Sequence, residues 1–196
     1  MHQKVGFSGP AGVGKSTFAT SVGLSLQKLG FSTYDRPFAG PLKLIAKQMG
    51  WNGEKDEKGR RLLQLLGTEC GRECIGENCW IDMWKERRPD SREIYLADDV
   101  RFQNEVDVLD ICFRLDRSGN PPPISYHASE AWWMLEDVYV VDVPAREEPR
   151  YEEVVARVCV AIVFPSLPLP FIKLGRSVDE LIPLPPEAPQ NEDHEL

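Results

Sequence analysis

The amino-acid sequence predicts an α/β protein with a mainly parallel, five-stranded sheet that carries helices on both faces. Short apolar runs rich in β-branched and aromatic residues alternate along the chain with longer segments of helical periodicity. A glycine-rich loop connects the first of these runs to the first helical segment. The 196 residues also suffice for one domain with a substantial core. Together these observations predict a three-layer fold.

The start of the chain forms a predicted βαβ unit. An apolar strand at 4–9, KVGFSG, leads into the glycine loop, and a second short strand, FSTYD, follows at 31–35. Between them, apolar residues return every three or four positions, as on one face of a helix that ends at Gly30. These residues are Phe18, Val22, Leu26 and Leu29. A glycine-rich phosphate loop is expected in this context.

The remaining elements follow the same alternation. A loop is predicted between Pro37 and Pro41, and a charged, solvated turn at 54–60. Helices are predicted at 42–51, 60–76 and 149–164, and strands at 93–99, 110–117 and 138–143. Beyond residue 164, seven prolines and six acidic residues mark a proline-rich, acidic tail at 165–196.

The charge distribution bears on the class of partner. The formal net charge is −8, but the stretch 179–196 alone carries six acidic residues and no Lys or Arg. The rest of the chain therefore has a charge of roughly −2 and lacks the basic surplus typical of proteins that bind duplex nucleic acid. A small molecule is the expected partner.

Composition also bears on the compartment. The sequence contains no apolar run long enough for a membrane span, and the N-terminal MHQKVGFSG lacks the long apolar segment of a signal peptide. The five cysteines are an odd number, and three of them follow one another at spacings that do not match a zinc ribbon. We therefore expect reduced thiols and a cytoplasmic protein.

Residues 9–17, GPAGVGKST, match the phosphate-binding pattern G-x-x-x-x-G-K-[ST]. In such a loop the main-chain N–H groups point at the α- and β-phosphates of a nucleotide, and Gly12 and Gly14 permit the close approach. Lys15 would reach the β- and γ-phosphates, and the Ser16 hydroxyl would bind Mg²⁺. The alternative, a glycine-rich turn with a chance lysine, is disfavoured by the strand before the loop and the helix after it.

Two aspartates, Asp98 and Asp99, end the predicted strand at 93–99. One carboxylate would hold the magnesium shell, directly or through water, and the other would cap or orient the following turn. Without the phosphate loop, an ordinary strand-end turn would be the preferred interpretation. The two motifs together are more specific than either alone.

Polar residues at three separated places suit a second, anionic substrate. Asp35 and Lys43 follow the second strand, and Arg101 follows the two aspartates. Arg72 lies three residues from Glu69, on the same face of the predicted helix. Arginines suit a phosphate because their planar fork binds it bidentately. Each residue also has an ordinary interpretation, as a solvated charge or as a weak surface pair.

Six segments occur in the order found in phage-type deoxynucleoside monophosphate kinases, which the chain resembles over roughly residues 4–164. They are GPAGVGKST, FAGPLK, LLQLLGTECGRE, IDMWKE, ADDVRFQNEVDVL and HASE. The glycine loop is shared by many NTPases, whereas LLQLLGTE with DDVRFQNE is much more specific. The resemblance implies a P-loop kinase-like three-layer fold and transfer of the γ-phosphate of ATP, with Mg²⁺, to a deoxynucleoside monophosphate.

The resemblance also implies a domain organisation. Residues 1–164 would form the P-loop nucleotide kinase domain, with the tail after it. Within this domain, a helical part at about 36–90 would bind the acceptor, and a lid-like segment at about 117–137 would close over the nucleotides. If the protein is encoded by a phage, the cytoplasm in question is that of the host.

The family's site residues carry over to matching positions of this chain. The residues implied for ATP binding are Gly12, Val13, Gly14, Lys15, Ser16 and Thr17, and those for metal binding are Ser16, Asp98 and Asp99. The residues implied or inferred for acceptor binding are Asp35, Phe38, Lys43, Arg72, Arg101 and Glu130. The predicted catalytic residues are Lys15, Asp98, Arg72 and Arg101. His127, Ser129 and Glu130 of HASE would belong to the segment that closes over the nucleotides.

The sequence departs from the family at two places. Similar proteins often have an Asn-x-Gly turn after the last strand, where this chain has Val-Asp-Val-Pro at 141–144. The segment SGNPPPISY replaces the usual linker before HASE. These departures bear on the geometry of the lid and on recognition of the base.

Two other functions remain open. Similar phage P-loop kinases act on hydroxymethylated pyrimidines in DNA, a reaction in which the acceptor is a hydroxyl and Asp35 would be the general base. A nucleotide-binding module without an acceptor would hydrolyse ATP regardless of any monophosphate. A second copy of the chain is a further candidate partner, and the proline-rich tail would suit docking in an extended conformation.

Overall fold

The computed structural model describes residues 1–54, 56–85, 89–117, 134–167 and 172–174. The strands are β1 (Lys4–Ser8), β2 (Ser32–Asp35), β3 (Glu93–Ala97), β4 (Ile111–Asp116), β5 (Val138–Asp142) and β6 (Ile172–Leu174). They form one sheet in the order β2-β3-β1-β4-β5-β6, in which the first five strands are parallel and β6 is antiparallel to β5. The predicted α/β class with a five-stranded parallel sheet is therefore confirmed.

The sixth strand was not predicted from the sequence. It comes from the tail at 165–196 and pairs Ile172 with Val140 and Leu174 with Val138. An edge strand such as β5 offers unpaired main-chain N–H and C=O groups, and a short extended segment satisfies them. Part of the tail thus belongs to the sheet.

The structure contains the predicted helices, one of them divided, and two further short helices that were not predicted from the sequence. Part of the predicted solvated turn at 54–60 is helical as well. They are α1 (Lys15–Lys28), α2 (Gly40–Gln48), α3 (Glu57–Gln64), α4 (Cys79–Lys85), α5 (Gln103–Val106) and α6 (Arg150–Val163). The predicted helix at 60–76 begins within α3 and continues as a π-helix, Leu65–Ile75. Asp56 is the N-cap of α3, where its side chain accepts a hydrogen bond from the Gly59 N–H at 2.7 Å.

Alternate residues of the strands enter two separate cores, one on each face of the sheet. On one face, Phe7 and Phe113 pack with α1 and α6, whose buried residues include Phe18 and Tyr151. On the other face, Tyr95 and the neighbouring strand residues pack against residues of α4, α5 and the loop before α2. The sheet therefore lies between two helical layers.

Because β1 to β5 are parallel, their carboxyl ends lie at one edge of the sheet. The glycine loop after β1, Asp35 at the end of β2 and the two aspartates after β3 meet at this edge, which is where α/β proteins bind their ligands. In the part of the chain that the structure describes, no helix is both long enough and apolar enough to cross a membrane.

Candidate functional site

The glycine-rich loop joins the end of β1 to the start of α1. Three of its glycines have positive φ angles that other residues rarely adopt: Gly9 (131°), Gly12 (80°) and Gly14 (98°). At Gly9 there is also no space for a side chain, since a Cβ there would lie 2.4 Å from the carbonyl oxygen of Leu115. Val13, within the loop, is fully buried in the core. The loop is thus fixed to the sheet beneath it.

The side chain of Lys15 folds back over this loop. Its Nζ donates hydrogen bonds to the carbonyl oxygens of Gly9 and Pro10, each at 2.9 Å. Ser16 and Thr17 follow in the exposed first turn of α1. A lysine beside the N-terminus of a helix combines two positive contributions, which is the electrostatic requirement for binding an anion.

The loop lies between the carboxyl ends of β3 and β4, the two strands that flank β1. Asp98 follows β3, and Arg117 follows β4. The Arg117 Nη2 atom lies 3.8 Å from the place that a Cβ on Gly14 would occupy. Its guanidinium donates hydrogen bonds to the carbonyl oxygens of Val143 and Pro144, at 3.3 and 3.4 Å. One acidic and one basic residue therefore border the loop.

Asp99 orients the loop that precedes α2. Its Oδ1 accepts a hydrogen bond from the Phe38 N–H at 2.8 Å, and its Oδ2 accepts one from the Ala39 N–H at 2.9 Å. Burial raises the pKa of the Asp99 carboxyl, while these two N–H groups and the charge of Lys43 act in the opposite direction. Asp99 thus orients the loop before α2 rather than the turn after its own strand, which was the role predicted for one of the two aspartates. Asp98 remains the better candidate for a metal ligand.

Asp35, at the end of β2, belongs to the same group of charges. Burial raises the pKa of its carboxyl, and the negative charges of Asp98 and Asp99 raise it further. The positive charge of Lys43 lowers it. The structure therefore brings together four of the predicted site residues, three carboxylates and one lysine. A carboxyl group with a raised pKa at such a place is suited to accept a proton.

Two residues beside this group have structural roles. Phe38, expected in the monophosphate pocket, is only 2% exposed, and its ring stacks on Trp84 with the centroids 4.7 Å apart. The Arg36 Nη2 donates to the Trp84 carbonyl oxygen at 2.5 Å, and its guanidinium lies 4.9 Å from the centre of the Tyr95 ring. The Phe38 side chain therefore lies in the core beside the candidate site.

Arg72 is enclosed by protein. Its side chain is 9% exposed, and its Nη2 lies 2.6 Å from Glu105 Oε1. A surface pair with Glu69, three residues earlier, was the alternative to a role of Arg72 in phosphate binding, but Glu69 is exposed and the carboxylate that contacts Arg72 is that of Glu105. The spacing rule for neighbours on one face applies to an α-helix, whereas this segment is wound as a π-helix.

Glu105 was not among the residues predicted from the sequence to have a role. Its Oε2 accepts hydrogen bonds from the N–H groups of Arg101 and Phe102, at 2.8 and 3.2 Å. Burial raises the pKa of its carboxyl to about 7, although the Arg101 N–H and the charge of Arg72 lower it. The signal in the sequence was its place in DDVRFQNE, three residues after a phenylalanine that begins a short helix. Arg117 was also missed, and its signal was its place after a strand adjacent to β1.

Arg101 lies in the loop between β3 and α5 and is half-buried. Its main-chain N–H is held by Glu105, as described above. Glu130 and the rest of HASE, as well as most of the lid-like segment at 117–137, lie outside the described residues.

The donor set at the loop fits Mg²⁺. The Ser16 hydroxyl and the Asp98 carboxylate are hard oxygen ligands, which this ion prefers. Within the described ranges, no three His, Cys, Asp or Glu side chains are arranged to hold a metal by themselves. A magnesium ion that arrives with nucleotide phosphates needs only one or two side chains from the protein.

A comparison of the chain with known protein families finds no match, and a comparison with curated proteins also finds none.

Proposed function

We propose that the protein is a phosphotransferase that uses ATP and Mg²⁺ to phosphorylate a deoxynucleoside monophosphate, giving ADP and a deoxynucleoside diphosphate. The observation that carries this proposal is the grouping of the Lys15 loop with three strand-end carboxylates at one edge of a parallel sheet. A helical layer made of α2, the π-helix and α4 lies beside this grouping. The loop would take the donor, and the space beside the helical layer would take the acceptor.

On the donor side, Lys15 would exchange its two bonds to loop carbonyls for bonds to phosphate oxygens. A hydrogen bond between an ammonium group and an anionic oxygen is stronger than one to a neutral carbonyl, so this exchange favours the bound nucleotide. Arg117 beside Gly14 adds a second positive charge. Bound Mg²⁺, held by Ser16 and Asp98, would neutralise negative charge on the β- and γ-phosphates.

On the acceptor side, an oxygen of the monophosphate attacks the γ-phosphorus in line. A new P–O bond forms to the acceptor, and the bond between the γ-phosphorus and the oxygen of the departing ADP breaks. The attacking oxygen is already ionised near neutral pH, so no general base is required. The protein's task is to hold two polyanions together, for which Lys43 and Arg101 supply positive charge. Because the donor is ATP, we propose the cytoplasm as the compartment.

The first prediction concerns Lys15. Replacement by alanine removes the charge that neutralises the β- and γ-phosphates, and we expect the rate of transfer to fall by about 100-fold or more with every acceptor. The measurement is a coupled assay of ADP formation with ATP, Mg²⁺ and each deoxynucleoside and ribonucleoside monophosphate. Lys28→Ala, at the far end of the same helix, is the matched control and should retain full activity.

The same assay tests the function itself. Diphosphate formation from particular monophosphates would support the kinase and identify the preferred base. ATP hydrolysis that is indifferent to every monophosphate would contradict it and would favour a nucleotide-binding module without an acceptor.

A second candidate function is phosphorylation of a hydroxymethyl group on a pyrimidine in DNA. The observation that favours it is the carboxyl group of Asp35, whose pKa is raised by burial and by two neighbouring aspartates. A hydroxyl acceptor, unlike a phosphate, must lose a proton, so it needs a base of this kind. The ion pair of Arg72 with Glu105 also favours a hydroxyl acceptor, since it removes one guanidinium from the expected phosphate pocket. Hydroxymethyl-containing DNA offered in the same assay separates the two acceptors.

A further inference from the structure

One buried carboxylate, Glu105, connects two parts of the chain that the proposed function treats as separate. Its Oε1 contacts the Arg72 guanidinium, which belongs to the π-helix of the helical layer. Its Oε2 accepts from the main-chain N–H groups of Arg101 and Phe102, in the loop that follows β3. The residue is 4% exposed, so these partners take the place of water around a buried acid.

The contacts of Arg72 show that it is held on several sides. Its Nη1 donates to the carbonyl oxygen of Glu77 at 3.0 Å and to Asn104 Oδ1 at 3.3 Å. The guanidinium carbon lies 3.8 Å from the centre of the Phe102 ring, a cation–π contact. With Glu105 on Nη2, the guanidinium fastens the π-helix to the loop after β3. The arginine expected to clasp the acceptor phosphate thus has a different set of partners.

The loop after β3 is therefore fixed at two points. At its beginning, Asp99 holds the N–H groups of Phe38 and Ala39. Toward its end, Glu105 holds Arg101 by its main-chain N–H and contacts Arg72. Arg101, a predicted acceptor-side residue, is held at the second of these points, and Asp98, the candidate metal ligand, directly precedes the first.

We propose that Glu105 is a positioning residue of the acceptor side, which sets the place of Arg101 and of the π-helix relative to the phosphate loop. The proposal rests on the proposed phosphotransferase function. Positioning matters for transfer between two bound substrates, because small displacements of the groups that hold them reduce the rate strongly. In this assignment Arg72 acts on the acceptor indirectly, through Glu105 and the loop.

The test compares Glu105→Ala and Glu105→Gln in steady-state kinetics with ATP and with the preferred monophosphate varied in turn. Glu105→Ala removes all three hydrogen bonds, and we expect the KM for the monophosphate to rise by about tenfold or more, the effect of losing a charged hydrogen bond. The KM for ATP should change by less than about threefold, because the phosphate loop is anchored separately by its own contacts to the sheet. Glu105→Gln keeps one accepting oxygen, so its KM for the monophosphate should lie between those of the wild type and of Glu105→Ala.

A matched control is Glu153→Gln, which breaks an exposed ion pair with Arg157 on α6 and should leave both KM values unchanged. Circular dichroism and urea denaturation of each variant establish that it is folded. If Glu105→Ala does not fold, Glu105→Gln carries the test. A folded variant with an unchanged monophosphate KM, or with equal losses for both substrates, would overturn the positioning role alone. Wild-type protein without transfer to any monophosphate would overturn the proposed function and this inference with it.

Discussion

At the scale of single residues, the two candidate acceptors require different roles of Asp35. Burial disfavours the ionised form of its carboxyl group, and the negative charges of Asp98 and Asp99 disfavour it further. If the acceptor is a phosphate, Asp35 has no proton to take and serves only to bind sugar, metal or arginine. If the acceptor is a hydroxyl, Asp35 has to be ionised when the reaction begins.

The substitution Asp35→Asn distinguishes these roles. For a monophosphate acceptor we expect transfer to fall by no more than about tenfold, because only binding contacts change. For a hydroxyl acceptor we expect a loss of about 100-fold to 10,000-fold, the usual contribution of a general base. The measurement is the transfer rate of the wild type and of Asp35→Asn at a series of pH values, with both types of acceptor.

The pH dependence of the wild type provides the complementary check. The pKa of the Asp35 carboxyl is raised, so on falling pH the ionised base is lost at a higher pH than an ordinary aspartate would show. Hydroxyl transfer should therefore decline on the acidic side in wild type, and this decline should be missing from the residual activity of Asp35→Asn. An acid limb that is unchanged in the variant would contradict the assignment of Asp35 as the base.

The sequence predicted some of these residues and not others for a physical reason. Lys15 and Asp98 could be proposed from the sequence because each has a fixed offset from a strand end or from a glycine turn, and such offsets are visible in one sequence. The partner of Arg72 was not found, because Glu105 is distant along the chain and meets it only in the folded protein. The burial of Phe38 was missed because an aromatic residue in a loop suits a pocket and a core equally well.

At the scale of elements, the main chain of the π-helix lies close to α4. A Cβ on Gly71 would lie 2.6 Å from atoms of the Trp80 indole, and the indole Nε1 donates to the carbonyl oxygen of Gly67 at 2.9 Å. The glycine therefore permits both the packing and the hydrogen bond. Periodicity alone predicted a helix over 60–76, but neither its π-helical winding nor its tertiary contact with Trp80.

The substitution Gly71→Ala tests this packing. The added methyl group must displace the Trp80 indole, and we expect a loss of about 1–3 kcal/mol of unfolding free energy from overpacking. In a protein of this size each kcal/mol lowers the Tm by about 2–4 °C, which thermal denaturation resolves. Glu73→Ala, at an exposed position of the same π-helix, is the control and should change little. Equal stability of both variants would contradict the close contact.

At the scale of the whole molecule, the sheet unites segments from both ends of the described chain. β1 lies near its centre, and β6, from the tail, pairs with β5 at one edge. Short runs rich in apolar, β-branched and aromatic residues predicted the five parallel strands, with helical segments between most of them. The antiparallel strand was not predicted, because three residues among prolines carry too little pattern and take their conformation from the edge they pair with.

A chain that ends after Leu167 tests the contribution of β6. Its removal leaves the outer N–H and C=O groups of β5 unpaired, and we expect a loss of about 1 kcal/mol for each of the few hydrogen bonds involved. The Tm should fall by several degrees, and light scattering should report more self-association, because an unpaired strand edge can pair with another chain. A chain that ends after Leu174 retains the strand and is the matched control. The phosphate loop lies on β1, two strands away from β5 in the sheet, so both chains should bind ATP as the full-length protein does. Equal Tm values for the two truncated chains would show that β6 adds nothing to the stability of the sheet.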